Sequence, residues 1–357
     1  MIARSRGDTA PHVELMLSLA RLQLQPDDVR RANRALRQGL DWDELVSLSS
    51  THGVLPLLHR HLANAAWPAR PIPVAAAATF RAMAERIAQR GLFLADELAA
   101  LLRVFDEHQL RVVPLKGPIL ARQLYGSPAM RPVNDIDLLV AEGDVPRVSE
   151  LLAERGYGPL MGRREADAGS AHRMGMDHVS FVAKAATHRV EVHYSLHAPL
   201  GRRRLGIDTI SDALESVSFL GAPALVMEPA RLLVYLCMHG DGRAWERLEW
   251  ACGVAELLRS GQAGDWDRVA AHARSVGGDR KLRAGLLVAH HLLDAPMPAP
   301  FVKPDALTRG AARTVVRRLT RDPARRPTVF ARVMYQLRTD RGVADRATRL
   351  WTALAMH

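Results

Sequence analysis

Apolar side chains recur near the helical period through most of the first 110 residues. Trp42, Leu45, Val46 and Leu48, then Leu55, Leu57 and Leu58, keep to one face of short helices. Pro71 and Pro73 break that run, and from Val74 to His108 the chain has no proline and a single glycine, Gly91. Phe80, Met83, Ile87, Leu94, Leu98, Leu101 and Phe105 fall at helical intervals there, which predicts one long helix or two in series. The pattern changes at Arg111. Val112–Leu115 reads as a short apolar strand, Gly117 and Pro118 open a helix running through Tyr125, and Asn134 leads into a second strand, Asp135–Val140. A helix over Asp144–Arg155 precedes two strands, His178–Ala183 and Arg189–Tyr194, joined by a turn near Ala185–His188. After Pro229 the helical period returns in Leu232–His239, Ala244–Arg259, Trp266–Arg274 and Lys281–Leu293. The expected architecture is α+β in three parts: an N-terminal helical region over 1–110, a β-α-β-α-β-β core over 111–225 and a C-terminal helical region over 226–357.

Composition narrows the class. With 48% hydrophobic and 24% charged residues, a 357-residue chain can bury more than one core, so disorder is excluded for most of it. Apolar runs such as Leu232–Met238 fall far short of the roughly 18–20 residues that cross a bilayer. Near the N-terminus Glu14 interrupts the apolar stretch and Arg21 closes it, which fits an amphipathic helix better than a secretory signal; a cytoplasmic protein is expected. Cys237 and Cys252 lack any Cys-x-x-Cys or His-pair context and read as buried small hydrophobes. The net charge of +11 raises the question of nucleic acid, but it is local. From Phe301 onward twelve arginines and one lysine face four aspartates. Arginines between Thr314 and Arg349, interrupted by Pro323 and Pro327, predict two short helices that turn Val316, Leu319, Phe330, Met334, Leu337 and Leu350 inward. The chain holds only four lysines, so Lys116 in the mixed block stands out.

Chemistry concentrates between Pro114 and Val140. Alternation along a strand puts Asp135 and Asp137 on one face while Ile136 and Leu138 enter a core. Two carboxylates held together repel, and oxygen ligands of this kind suit Mg²⁺ or Mn²⁺. Neutralising either aspartate is therefore expected to leave the metal-free fold equally stable or more so. In Val190–His193 the same parity pairs Glu191 with His193. If that strand neighbours the first, a third carboxylate reaches the site, and such a triad can hold two ions about 3.5–4 Å apart. Lys116 can serve a phosphate or the carboxylate cluster, Gly117 permits close backbone approach to phosphates, and Arg131 pairs with Asp135 or phosphate. His193 reads as a neighbour of the acids rather than a base. Gly-x-x-x-x-Gly-Lys-Ser/Thr, His-Glu-x-x-His and Gly-x-Ser-x-Gly are all absent. The pairs His59/His61 and His290/His291 have spacings that point apart on a helix and do not suit a shared metal.

The segment LKGPILARQLYGSPAMRPVNDIDLLV resembles the signature of the uncharacterised branch of the nucleotidyltransferase superfamily, the DNA polymerase β-like fold. VEVHYSLH resembles that branch's later acidic strand, and HGDGRAWERLEW its downstream His-Gly, Arg-Leu and Trp segment. The likeness spans roughly residues 80–260. Two departures are Lys116-Gly117-Pro118, where the superfamily usually has Gly-Ser or Gly-Gly, and Cys252-Gly253, where an aspartate is expected after Trp250. The resemblance implies a polymerase β-like core that moves a nucleotide from a nucleoside triphosphate, with ATP the expected donor. Asp135, Asp137 and Glu191 would be catalytic metal ligands, and Lys116, Gly117, Arg131 and His193 would contact the nucleotide. The acceptor stays open among an RNA end, a peptide or protein hydroxyl and a small molecule. Phosphoryl transfer on the same fold and a non-catalytic nucleic-acid or peptide-binding module are the alternatives.

Overall fold

The computed structural model describes residues 9–64, 67, 71–160, 177–185, 188–196 and 205–340. The protein is mixed α+β, many helices with one small mixed sheet, and it divides into two units: residues 1–86 with 232–357, and residues 87–231. Among the described residues no helix is long and apolar enough to cross a membrane.

The chain opens with α1 (Pro11–Leu19), α2 (Pro26–Gln38), α3 (Trp42–Thr51) and α4 (Leu55–Asn64), the short helices that the apolar spacing predicts. Asp41 caps α3 by accepting the Glu44 N–H, and Pro26 sits where a helix start has no use for its missing donor. The predicted long helix is a single α5 (Val74–Glu107), 34 residues. Gly91 lies within it because a Cβ there would meet the Pro128 carbonyl oxygen at 2.4 Å.

The sheet of the second unit contains β1 (Val113–Pro114), β2 (Asp135–Leu139), β3 (Tyr157–Pro159), β4 (His178–Ala183) and β5 (Arg189–His193), in the order β1-β2-β5-β4-β3. β2 and β5 run parallel while every other pair is antiparallel. Helix α6 (Gly117–Tyr125) follows β1 and α7 (Val145–Glu154) follows β2. Ile136, Leu138, Val190, Val192, Val179 and Phe181 share one core with Leu94, Leu98 and Phe105 of α5 and Val148 and Leu152 of α7. The alternate residues of β2 and β5 are left to the opposite face. Two elements were not expected: β3, and the hairpin β6 (Leu214–Phe219) with β7 (Ala222–Met227). Its turn residues Leu220 and Gly221 have φ of 49° and 75°, and Arg103 donates to the Leu220 carbonyl at 2.8 Å.

The first unit resumes with α8 (Pro229–Gly242), α9 (Leu248–Ser260), α10 (Trp266–Ser275), α11 (Asp279–Leu293), α12 (Ala306–Arg321) and α13 (Val329–Thr339). The helix expected from Ala244 instead starts at Leu248, because Ala244 and Trp245 take φ of 49° and 53° to seat the fully buried Trp245 ring. The basic segment does form two helices and buries Leu319, but Phe330 and Met334 are exposed; α13 turns Tyr335 and Thr339 inward in their place. Leu350 lies outside the described residues. Both cysteines are buried free thiols, held protonated by burial. His52 is buried with its Nδ1 accepting the Leu248 N–H at 3.3 Å and its Nε2 3.0 Å from the Pro323 carbonyl, so the neutral Nε2–H tautomer satisfies both partners.

Candidate metal centre

Register decides what the two acidic strands can build. In the parallel pair Asp135 lies beside Arg189, Asp137 beside Glu191 and Leu139 beside His193. The third carboxylate is thus an immediate neighbour of the second, on the face away from the core. Leu115 N–H donates to the Asp137 carbonyl at 2.9 Å, which brings the end of β1 and the start of α6 to the same edge.

Asp137 is 2% exposed and holds two cations on one oxygen. Lys116 Nζ and His193 Nε2 each stand 3.0 Å from Oδ1, and the same His193 nitrogen is 3.6 Å from Glu191 Oε2. Burial alone would raise the Asp137 carboxyl, but the Lys116 ammonium and the His193 hydrogen bond outweigh it and hold it well below the usual carboxylate range. Burial opposes charge on His193 as well; hydrogen bonds to Asp137 and Glu191 nevertheless push it up to about 9, so it is an imidazolium at neutral pH. The His193 hydrogen bond likewise lowers Glu191. Asp135 behaves in the opposite way: burial, then the Asp137 and Glu191 charges, raise it, leaving it the carboxylate short of positive charge.

Among the described residues two groups bring ligand atoms within 4.8 Å of one another: Asp137, Glu191 and His193, and Asp177, His178 and His193. Asp135 joins neither, although it shares the face and the field. The donor set fits a divalent cation, since an acid-rich surface that already recruits a lysine and a histidine has Asp135 still undercompensated. Lys116 is extended, at φ −143° and ψ −151°, just before α6. Gly117 has φ 66°, and a Cβ there would lie 3.2 Å from the Asp135 carbonyl, so both handedness and space favour glycine. Arg131 is half-buried directly after the 3₁₀ turn Pro128–Met130. Asp177 and His178 escaped the sequence reading; the signal was the register of β4, which puts His178 opposite His193 with ring centroids 5.0 Å apart. The pairs His59/His61 and His290/His291 belong to no three-ligand group among the described residues.

Residues 38–294 match the profile of a family described as uncharacterised nucleotidyltransferase. Among solved structures, an antigenic nucleotidyltransferase-like protein from Paracoccidioides brasiliensis is similar at 13% identity with a TM-score of 0.36, over 58% of this chain and 95% of that one. No curated protein matches the chain.

Proposed function

The chain belongs to the uncharacterised nucleotidyltransferase family, and from that premise we propose that it moves a nucleoside monophosphate from a nucleoside triphosphate, ATP in the first instance, to an acceptor hydroxyl or phosphate. The observation that carries this reading is the parallel pairing of β2 with β5, which sets Glu191 beside Asp137 on the face shared with Asp135. We read the sheet and its helices as a polymerase β-like core within 111–225.

Asp135, Asp137 and Glu191 would hold Mg²⁺ or Mn²⁺, which when bound supplies charge to the α-phosphoryl oxygens and activates the acceptor. Lys116, now on Asp137, lies at the strand-to-helix turn, where it can transfer its ammonium to triphosphate oxygens. Gly117, with no Cβ against the Asp135 carbonyl, would let those oxygens approach the start of α6, and Arg131 would offer them a guanidinium. His193, 3.0 Å from Asp137 and 3.6 Å from Glu191, would orient both carboxylates. The acceptor oxygen attacks the α-phosphorus in line and pyrophosphate leaves.

The test uses α-labelled and γ-labelled ATP in parallel with Mg²⁺, against the protein itself, bulk RNA and a panel of small-molecule alcohols. Label passing from the α position with pyrophosphate release is expected. Label passing only from the γ position would make the enzyme a phosphoryl transferase, and no transfer to any acceptor, from ATP or from GTP, CTP and UTP labelled in the same two ways, would refute the catalytic reading.

A further inference from the structure

Nine arginines and one acid, Asp322, stand between Ala306 and Thr339. In the first unit α12, the connection 322–328 and the first turn of α13 close around a cavity of about 370 Å³. Arg317, Arg318, Arg321, Arg325 and Arg326 line it, all but Arg318 exposed, and Asp322 is the single acid in the lining. The remaining lining is Thr314 and Thr328 together with the apolar or aromatic Ala244, Val315, Pro327, Ala331 and Tyr335. This is a concave site with an apolar floor and a guanidinium rim.

The floor is a built feature. Ala244 and Trp245 are both held at positive φ, a conformation that a bulky residue adopts only when its surroundings impose it. Arg318 donates to both of their carbonyls, at 3.2 and 2.6 Å, and Trp245 Nε1 donates to Tyr335 Oη at 2.9 Å. Gly240 and Gly285 leave room for the indole, which a Cβ would meet at 2.6 and 3.0 Å. Glu246 orients Arg326 and Arg332, each at 3.3 Å. Gly240, Ala244, Trp245 and Glu246, around which these contacts gather, all belong to the HGDGRAWERLEW segment.

We propose that this groove binds single-stranded nucleic acid, with the arginine rim on successive phosphates and the apolar floor under a base. Guanidinium forks match two phosphate oxygens and stack on bases, and cationic grooves with flat floors take unpaired strands with little regard for sequence. An acidic protein would meet the rim with carboxylates but leave the apolar lining around Pro327 and Ala331 uncovered, whereas a nucleotide brings phosphate and base together. Crowded like charges also favour a polyanion as counterpart. The inference does not rest on the nucleotidyl-transfer reading, since binding is measured without metal.

The experiment is fluorescence polarisation with the full chain in EDTA, using labelled oligouridine, oligothymidine of equal length and a duplex. Both single strands are expected to bind more tightly than the duplex, and the stronger of the two identifies RNA or DNA as the source. Arg317→Glu with Arg325→Glu should weaken binding at least tenfold at moderate salt and flatten the salt slope by about 1.4, two single-strand phosphates at about 0.7 each. Ala331→Trp, which fills the floor at unchanged charge, should weaken binding about tenfold with the slope preserved. Arg34→Glu with Arg37→Glu on α2 changes net charge equally and should leave affinity as it was. The proposal is overturned by any of four results: no binding, groove variants indistinguishable from wild type, an equal loss in the α2 control, or displacement of the strand by polyglutamate at equal charge.

Discussion

Asp135 and Asp137 are two residues apart on one face, yet their asparagine variants should move stability in opposite directions. Asp137→Asn leaves Lys116, 18% exposed, and His193, 13% exposed, facing each other without the anion that both contact at 3.0 Å. Removing one partner of a buried ion pair costs about 3–5 kcal/mol, because the remaining charge stays desolvated. In a unit the size of 87–231 each kcal/mol moves the midpoint by about 2–4 °C, so the transition should fall by roughly 10 °C. At Asp135 the fold already resists the charge, and Asn relieves it, so the midpoint should hold or rise. This replaces the symmetric expectation drawn from strand parity, which counted the neighbouring carboxylates and not the two cations. The measurement is thermal unfolding in EDTA at pH 7.5, followed by circular dichroism, with transfer assayed separately in Mg²⁺; both variants should lose activity. An Asp137→Asn protein that melts with the wild type, or two variants that shift together, would refute the charge assignment.

Glu191→Gln should abolish turnover while still binding triphosphate, measured by equilibrium dialysis; full activity would mean that another acid completes the site. Apo stability should have two pH limits. His52 is lowered by burial to about 4 against about 6.5 unfolded, so the unfolded chain takes up the proton first, and stability present above pH 6.5 drains by up to about 3 kcal/mol toward pH 4. His193, raised to about 9, contributes stability that is complete below pH 6.5 and lost as pH rises through 9. Urea midpoints across pH 4.5–9.5 in EDTA, which should peak near neutrality, check both. Gly91→Ala, ordinarily worth up to about 1 kcal/mol of helix propensity, should instead destabilise, because its Cβ would lie 2.4 Å from the Pro128 carbonyl; a raised melting temperature would show that the turn before Arg131 can yield.

The acidic strands were legible because period-2 alternation is strict there: Val190 and Val192 enter the core, and Glu191 and His193 cannot follow. Elements marked by local chemistry, such as α6 with Pro118 in its first turn and Gly126 past its end, also matched their predicted bounds. What sequence could not give was pairing. That Lys116 closes on Asp137 in particular, or that His178 reaches His193, follows from the register between neighbouring strands, which the pattern of neither strand fixes by itself. The β6–β7 hairpin was hidden for a different reason: a turn with positive φ at both central residues is normally announced by Asn-Gly or Asp-Gly, and here Leu220 occupies the first place. The turn at Ala244–Trp245 was equally silent, since nothing in a Trp residue advertises a left-handed backbone.

The two faces of β2 and β5 have an evolutionary corollary. Acids and core valines interleave residue by residue, so a one-residue insertion or deletion within either strand would exchange them, burying carboxylates and delivering Ile136 or Val190 to the acidic face. Substitutions can tune this centre one position at a time, but a frame change in either strand destroys fold and chemistry in one step. Lineages descending from this sequence should therefore accumulate their length variation in the connections and leave β2 and β5 at constant length.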